Sequence, residues 1–378
     1  MRVLFVTNAA RGHFTALVPL ALALRTAGHE VRVAAPPALA PAVAGAGLIA
    51  VPAGEDLSLG PVRSQADGQP RTVAELLDPA RLAATGSRFV RLAAAMLEDL
   101  VGYGRRWDPD VVVAEPTAIA GSVLAATLKV PYVRHRWGVD RAAAEVTAAA
   151  AAELRDRAED LGFAGPAEPD LTVDPCPPGL QDPDVPRGLP VRYVPCDGGA
   201  VLPGWLHEPA GAGRVCVTLG SMAGALGGLN VTRRVVDALS AAGLEVVVAV
   251  LPGEADRLGA VPGRVRVVED LPLRLIAREC DLVVHHAGSN TMLTSLRYGL
   301  PQLVFPYMGD CVFNADRLTA TGAAAWLPLE ADTATIADTC ASLRTAPAYR
   351  NAARALRAEI EQAPPAAALV ARLERLAR

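Results

Sequence analysis

RVLFVTNAARGHFTALVPLALALRTAG, residues 2–28, is a complete strand–loop–helix unit and decides the fold. Residues 2–7 form a nearly unbroken apolar run, as a strand covered on both faces requires. Asn8 to Gly12 lack periodicity and read as a loop. Beyond it Leu17, Leu20, Ala21, Leu24 and Ala27 recur at helical spacing, and Gly28 is the natural stop. A strand at Glu30 to Ala35, a short helix over 38–47 and a strand at Leu48 to Val51 follow. This alternation predicts an α/β architecture built on a parallel sheet.

Working outward, residues 54–72 read as a long loop, a common place for binding. A helix over 73–103 is expected to break near Pro79 and Gly86. Then come a strand at Asp110 to Glu115, a helix over 117–128 and a strand at Tyr132 to His135, five strands for this half. Segment 142–160 reads as a solvated helix with an alanine seam. The stretch 162–212 is rich in proline and glycine and holds a domain boundary. The pattern restarts at Arg214 to Leu219 and repeats through Glu245 to Val250, Val265 to Val268, Asp281 to His285, Gln302 to Phe305 and a strand near 323–327. Two α/β halves in tandem result.

With 378 residues, 51% hydrophobic and 20% charged, the chain has the apolar surface for two domains and is neither disordered nor a small stapled module. A net charge of −4 without a basic stripe excludes nucleic acid as a partner. Lys129 is the single lysine, and it fits neither a P-loop nor a Schiff-base site. The six cysteines show neither C-x-x-C spacing nor histidines at metal-ligand distance, so a reduced compartment and no metal are expected. Without a cleavable leader or a bilayer-length apolar run, the expectation is a cytoplasmic protein with no membrane partner.

The Asn8 to His13 loop has one glycine where a dinucleotide fingerprint has three, which disfavours hydride transfer. It does put His13 at a helix N-terminus and at the carboxyl end of a parallel strand, the edge where open α/β sheets bind ligands. Imidazole there suits a general base, and the helix end is expected to lower its pKa; a histidine that merely caps or packs is the alternative. Glu115 ends its own strand on the same edge. A carboxylate on imidazole Nδ1 fixes the tautomer and stabilises the imidazolium, the alternative being a solvated strand-end Glu.

In the second half a strand runs into His286-Ala287-Gly288-Ser289-Asn290-Thr291 and a helix. Backbone N–H groups around Gly288 and Ser289, the helix dipole, the Asn290 and Thr291 side chains and the His286 ring together suit a diphosphate without a metal. Ser221, after the first strand of this half, offers a hydroxyl from the opposite wall. His285 points to the other face of its strand and reads as a core residue, as His29 and His207 read as structural. Asp310 lies at another carboxyl edge, where it suits a sugar hydroxyl or is simply solvated.

These residues resemble the two-domain nucleotide-sugar glycosyltransferases of the family 1 type, especially actinomycete antibiotic enzymes that transfer deoxysugars. The resemblance covers nearly the whole chain. It rests on Arg11-Gly12-His13 with Pro19, Arg192-Tyr193-Val194-Pro195 with Pro203-Gly204-Trp205-Leu206, Val217-Thr218-Leu219-Gly220-Ser221, and above all HHAGSNTMLTSLRYGLPQLVFPYMGDCVFNA over 285–315. It implies a GT-B fold: two facing Rossmann-like domains with parallel sheets and a C-terminal helix crossing back. The acceptor domain would span 1–200, a linker 201–212, the donor domain 213–362 and the returning helix 363–378.

The resemblance further implies inverting, metal-independent transfer of a sugar from a dTDP-sugar to an aromatic or polyketide aglycone in antibiotic biosynthesis, with no cofactor and with a homodimer allowed. His13 would deprotonate the acceptor, supported by Glu115 where the family usually has Asp. Ser221, His286, Asn290 and Thr291 would stabilise the departing diphosphate. The family often has Glu at the position of Thr294, and its absence is compatible with a 2′-deoxyribose donor. Cys311 replaces the glutamine of an Asp-Gln pair, and the base-stacking tryptophan is missing near Asp270, leaving the Leu271 backbone to hold the base. The loop Arg134 to Asp140 resembles that of aromatic-polyketide transferases and makes Asp140 a second candidate base, or else a helix N-cap. The competing readings are a non-catalytic auxiliary partner and a nucleotide-sugar 2-epimerase.

Overall fold

Strand β1 (Arg2–Val6) lies at the middle of a parallel sheet with β2 (Glu30–Ala35), β3 (Ile49–Pro52), β4 (Val111–Ala114), β5 (Tyr132–His135), β6 (Leu171–Asp174) and β7 (Leu189–Pro190). This computed structural model describes residues 1–57, 78–208, 211, 213–220 and 228–378. The order is β3-β2-β1-β4-β5-β6-β7, with Val3 in register with Val31 on one side and Val111 on the other. Side chains alternate along β1: Leu4 and Val6 enter one core, Val3 and Phe5 the opposite one. Both faces are therefore buried, which is why residues 2–7 are almost uniformly apolar.

Helices α1 (Arg11–Thr26) and α2 (Ala40–Gly45) cover one face, and α3 (Pro79–Trp107), α4 (Ala120–Leu128) and α5 (Arg141–Asp160) the other. The expected break within α3 does not occur. Pro79 is the first helical residue, where a missing N–H costs nothing. Gly86 lies inside the continuous helix, and its missing side chain lets α5 come close: a Cβ there would lie 2.9 Å from the Val146 carbonyl oxygen. Residues 73–77 of that expected helix, and the expected loop from residue 58 onward, lie outside the described residues. β6 and β7 are additional to the five expected strands; both are short pieces within the proline-rich stretch, and β7, at the sheet edge, ends on Pro190.

The second sheet contains β8 (Arg214–Thr218), β9 (Glu245–Val250), β10 (Val265–Glu269), β11 (Leu282–His285), β12 (Gln302–Val304) and β13 (Ala324–Trp326), all parallel, in the order β10-β9-β8-β11-β12-β13. It is flanked by α6 (Gly228–Ala241), α7 (Ala255–Leu258), α8 (Leu273–Ala277), α9 (Ser289–Arg297), α10 (Gly309–Ala320), α11 (Thr333–Thr345) and α12 (Pro347–Gln362). The last segment returns to the first domain. Ala366, Leu369, Val370 and Leu373, in and just before α13 (Val370–Leu376), are buried in the same core as Val3 and Phe5. Glu374 Oε1 meets His29 Nε2 at 3.1 Å, so His29 secures the crossing.

In each sheet the strand order reverses beside the first strand, between β1 and β4 and between β8 and β11. Open α/β sheets bind ligands outside the carboxyl ends of the strands at such a reversal. His13 and Glu115 follow β1 and β4; Gly220 and His286 follow β8 and β11. Among the described residues no helix is long and apolar enough to cross a membrane, and all six cysteines are free thiols.

Candidate active site

His13 occupies the first turn of α1, whose N-cap residue Ala10 supplies no side-chain bond. Its Nδ1 lies 3.3 Å from Glu115 Oε1 and 3.3 Å from Thr117 Oγ1. The Glu115 carboxylate is completely buried and held by donors on several sides. The Thr117 backbone N–H reaches Oε2 at 2.7 Å, the Thr117 hydroxyl reaches it at 2.9 Å, and Asn8 Nδ2 reaches Oε1 at 3.2 Å. A buried charge needs this satisfaction. The imidazole remains 26% exposed toward the cleft. Burial pushes the His13 pKa down, but the Glu115 carboxylate and the more distant Asp310 outweigh it and leave it raised. The expected lowering by the helix end is thus overridden by two acidic neighbours. Trp137 covers one ring face, its centroid 4.2 Å from that of His13 and the planes 9° apart.

Across the cleft, His286 follows β11 and sits between two glycines. A Cβ on Gly220 would lie 2.3 Å from the ring's Cε1, and one on Gly288 2.4 Å from Nε2. Gly220 also has a φ of +78°, a conformation glycine adopts without strain. Tyr307 stacks on the ring at 5.3 Å and donates its hydroxyl to the Leu219 carbonyl at 2.5 Å. Burial lowers the His286 pKa to about 4, so the ring is neutral at pH 7 and carries one N–H. Its Nδ1 is buried without a partner. Beside it α9 begins with N-cap Gly288, which has no side chain to cap the first turn's N–H groups. A neutral imidazole next to uncapped helix N–H groups suits an anion.

The two half-sites are tied together. Asn290, in the first turn of α9, donates Nδ2 to the Gly12 carbonyl at 2.6 Å and to Thr15 Oγ1 at 2.7 Å. Arg11 pairs with Asp270 at 3.2 Å, and Gly138 packs so closely on Ser289 that a Cβ there would be 2.7 Å from the serine Cβ. Asp310 lies in the first turn of α10, and desolvation raises its carboxyl pKa against the opposing charge of His13.

The sequence matches the family described as erythromycin biosynthesis protein CIII-like, the N-terminal domain over residues 22–220 and the C-terminal domain over 233–376. The chain belongs to this family. Among CIII-like relatives, 10-deoxymethynolide desosaminyltransferase of Streptomyces venezuelae is 34% identical over 419 residues, covering 100% of this chain and 97% of its own. Erythronolide mycarosyltransferase of Saccharopolyspora erythraea is 32% identical, covering 100% of this chain and 99% of its own. Among solved structures, spinosyn rhamnosyltransferase SpnG complexed with thymidine diphosphate superposes with a TM-score of 0.88 at 34% identity, covering 99% of this chain and 100% of that one. This CIII-like chain is a glycosyltransferase of the GT-B fold.

Within this CIII-like glycosyltransferase, the remaining expected site residues fall into different surroundings. Gly288, Ser289, Asn290 and Thr291 all lie at the start of α9. The Ser289 hydroxyl is engaged by Asn314 Nδ2 at 3.2 Å, and Asn290 Nδ2 serves the interdomain contact, with Oδ1 buried and unpartnered. Ser221 lies outside the described residues. Leu271 is partly buried against the core under α8 and follows Asp270, whose φ is +52°. Asp140 is in the N-cap position of α5 without making a cap bond. Its carboxylate is 4% exposed and receives Arg136 Nε at 2.6 Å, so it is an internal ion-pair partner and not a free base. Thr294 does not face the cleft. It is buried and shares a 3.0 Å hydrogen bond with the Tyr193 hydroxyl, so the space of a longer side chain is taken by the interdomain segment.

His285 is wholly buried, bonded at Nε2 to Gln302 and at Nδ1 to the Ala287 N–H, and burial lowers its pKa to about 3. Among the described residues no group of three His, Cys, Asp or Glu side chains could hold a metal ion. Sequence reasoning missed Thr117, Asn8 and Trp137. Thr117, two residues beyond Glu115, carried the one available signal, because a hydroxyl there can reach back to a strand-end carboxylate.

Proposed function

We propose that this chain transfers a deoxysugar from a dTDP-sugar to an aromatic or polyketide aglycone, with inversion and without a metal. His13 takes the acceptor proton while the acceptor forms a bond to the anomeric carbon. The bond from that carbon to the diphosphate breaks, and dTDP leaves with the electron pair from the opposite side, which inverts the centre. Glu115 holds Nδ1 and balances the imidazolium that forms. His286 and the first N–H groups of α9 meet the charge that grows on the leaving diphosphate. Gly288, Ser289 and Thr291 line that end, Asp310 accepts from a sugar hydroxyl, and the Leu271 backbone borders the base.

The observation that carries this reading is the opposition of a carboxylate-supported histidine and an uncapped helix N-terminus across one cleft, bridged by the Asn290–Gly12 bond. Further support comes from neighbours complexed with thymidine diphosphate, among them glycosyltransferase VinC with dTDP at a TM-score of 0.84 and 31% identity. SpnG, also described complexed with spinosyn aglycone, supports the acceptor class. The relatives' names favour transfer over 2-epimerisation and over an auxiliary role.

Calorimetric titration with dTDP and with UDP tests the donor site. The expected result is micromolar dTDP binding, weaker UDP binding, and loss of both in His286→Ala. A folded protein that binds neither nucleotide overturns the assignment. Screening dTDP-deoxysugars against aromatic and polyketide aglycones then reads transfer, which His13→Ala is expected to abolish.

A further inference from the structure

The contacts that hold His13 are weaker than its role demands. Both partners of Nδ1 are at 3.3 Å, the long end of hydrogen bonding, so they restrain the ring's rotation only weakly. The second constraint is the indole of Trp137, 4.2 Å away and within 9° of parallel.

The chain on either side of the indole is in turn anchored. Arg136, 3% exposed, donates Nε to Asp140 at 2.6 Å and Nη1 to Asp174 Oδ2 at 2.8 Å. Gln181 completes the frame, donating Nε2 to Asp174 at 2.9 Å and to the Gly138 carbonyl at 3.2 Å, while its Oε1 accepts the Asp140 N–H at 3.0 Å. On the far side Gly138 abuts Ser289 of α9. Both residues flanking Trp137 are thus anchored. A buried ion-pair cluster is costly to desolvate, and fixing one geometry is its best-attested use.

We propose that Trp137 is a positioning residue for His13, held flat against the imidazole by the buried Arg136–Asp140–Asp174 cluster. This rests on the reading of His13 as the base. The indole shields one ring face from water and stops the ring from tipping, leaving the edge with Nε2 as the working one. Once the ring takes a proton, the indole face becomes a cation–π partner for the imidazolium. Asp140 thereby acts through Arg136 and Trp137 and need not touch the acceptor. The charged groups around the pair are Glu115 beyond β4, Asp310 on α10, Arg11 and Asp270 across the cleft mouth, and Arg134, Arg136 and Asp140 on the indole's own loop.

The test is a proton–carbon NMR titration of the six histidines, with His13→Asn assigning the His13 resonance, in the unaltered chain, Trp137→Phe and Trp137→Leu. In the unaltered chain the His13 ring proton carries an upfield ring-current shift. Trp137→Leu removes that shift and lowers the His13 midpoint by about half a pH unit or more, while Trp137→Phe restores most of both. Thermal unfolding of the three chains within ~4 °C of one another controls for folding. A His13 midpoint and ring shift unchanged in Trp137→Leu overturn the proposal. In the transfer assay, Trp137→Leu is expected to lower kcat about tenfold with the donor KM unchanged. A rise in acceptor KM alone would make the indole an acceptor platform and also overturn it. Undiminished transfer by His13→Ala would instead defeat the base assignment, leaving the titration result intact.

Discussion

Replacing Gly288 with alanine adds one methyl group to the proposed donor site, and its consequence can be worked from the geometry. The backbone tolerates it, since Gly288 sits at φ −65° and ψ 137°, an ordinary extended conformation for any L-residue. The side chain does not fit: the new Cβ would be 2.4 Å from His286 Nε2 and 2.8 Å from Cε1, against ordinary contact of ~3.5–4 Å. The ring must therefore shift by about 1 Å, and because Gly220 and the Tyr307 stack already close on it, it cannot do so and keep its present orientation. A hydrogen bond from this ring to a charged phosphate is worth about 1.5–3 kcal/mol. Losing it weakens dTDP binding by roughly 10- to 100-fold. Calorimetry with dTDP on Gly288→Ala, His286→Ala and the unaltered chain reads this directly. Thermal unfolding within ~4 °C of the unaltered chain confirms that the fold survives. Binding by Gly288→Ala within about twofold of the unaltered chain, with His286→Ala impaired, would refute the claim that the glycine sets the ring's place.

Glu115→Gln removes the strongest influence raising the His13 pKa. In the proposed reaction transfer requires the neutral ring, so the rate is expected to rise with pH through that raised pKa; the variant is expected to shift this acid limb to lower pH while the maximal rate falls about 10²- to 10⁴-fold, read from kcat against pH. Buried His135, His285 and His286 have pKa values lowered to about 4, 3 and 4, so the unfolded chain takes up their protons first and stability is lost as pH falls from 6.5 toward 4. Asp140, raised to about 6, opposes this, because it binds its proton more tightly in the fold. Urea unfolding at intervals over that range should show a falling midpoint, and His285→Gln should flatten the dependence by about 1.4 kcal/mol per pH unit near pH 5.

Much of the fold was legible because a doubly covered parallel strand has to be apolar on both faces. Val3 to Val6 and Val111 to Ala114 display that requirement directly. β6 and β7 did not, because Leu171–Asp174 mixes polar with apolar residues and Leu189–Pro190 is a two-residue edge piece, neither giving an apolar run. Gly86 was misread for a related reason: glycine marks both a helix break and a close helix–helix approach, and only the distance to Val146 separates the two. In the site, His13, Glu115 and His286 were legible as strand-end residues on the binding edge. Asp140 looked equally placed, but Arg136, four positions before it, takes up its carboxylate, and the Asp174 that holds the other side of that guanidinium lies 38 positions beyond the arginine, where no local pattern points to it. The bond from Thr294 to Tyr193 was equally out of sight, since the tyrosine lies 101 positions away in the segment between the domains.

The long-range contacts share a consequence for the chemistry. A base and a leaving-group site on separate domains are productive only at one separation, and a displacement near 1 Å is enough to cost much of the rate. Here the residue before His13 is bonded by its carbonyl to Asn290, and Asn290 belongs to the helix turn that meets the diphosphate in the proposed reaction. The loop carrying Trp137 touches both parties, through the imidazole on one side and Ser289 on the other. Domain position, ring position and donor-helix position are consequently coupled through a few neighbouring residues. Their alignment depends on pairs hundreds of positions apart in the chain, which explains why a single sequence shows the reacting groups more readily than the parts that aim them.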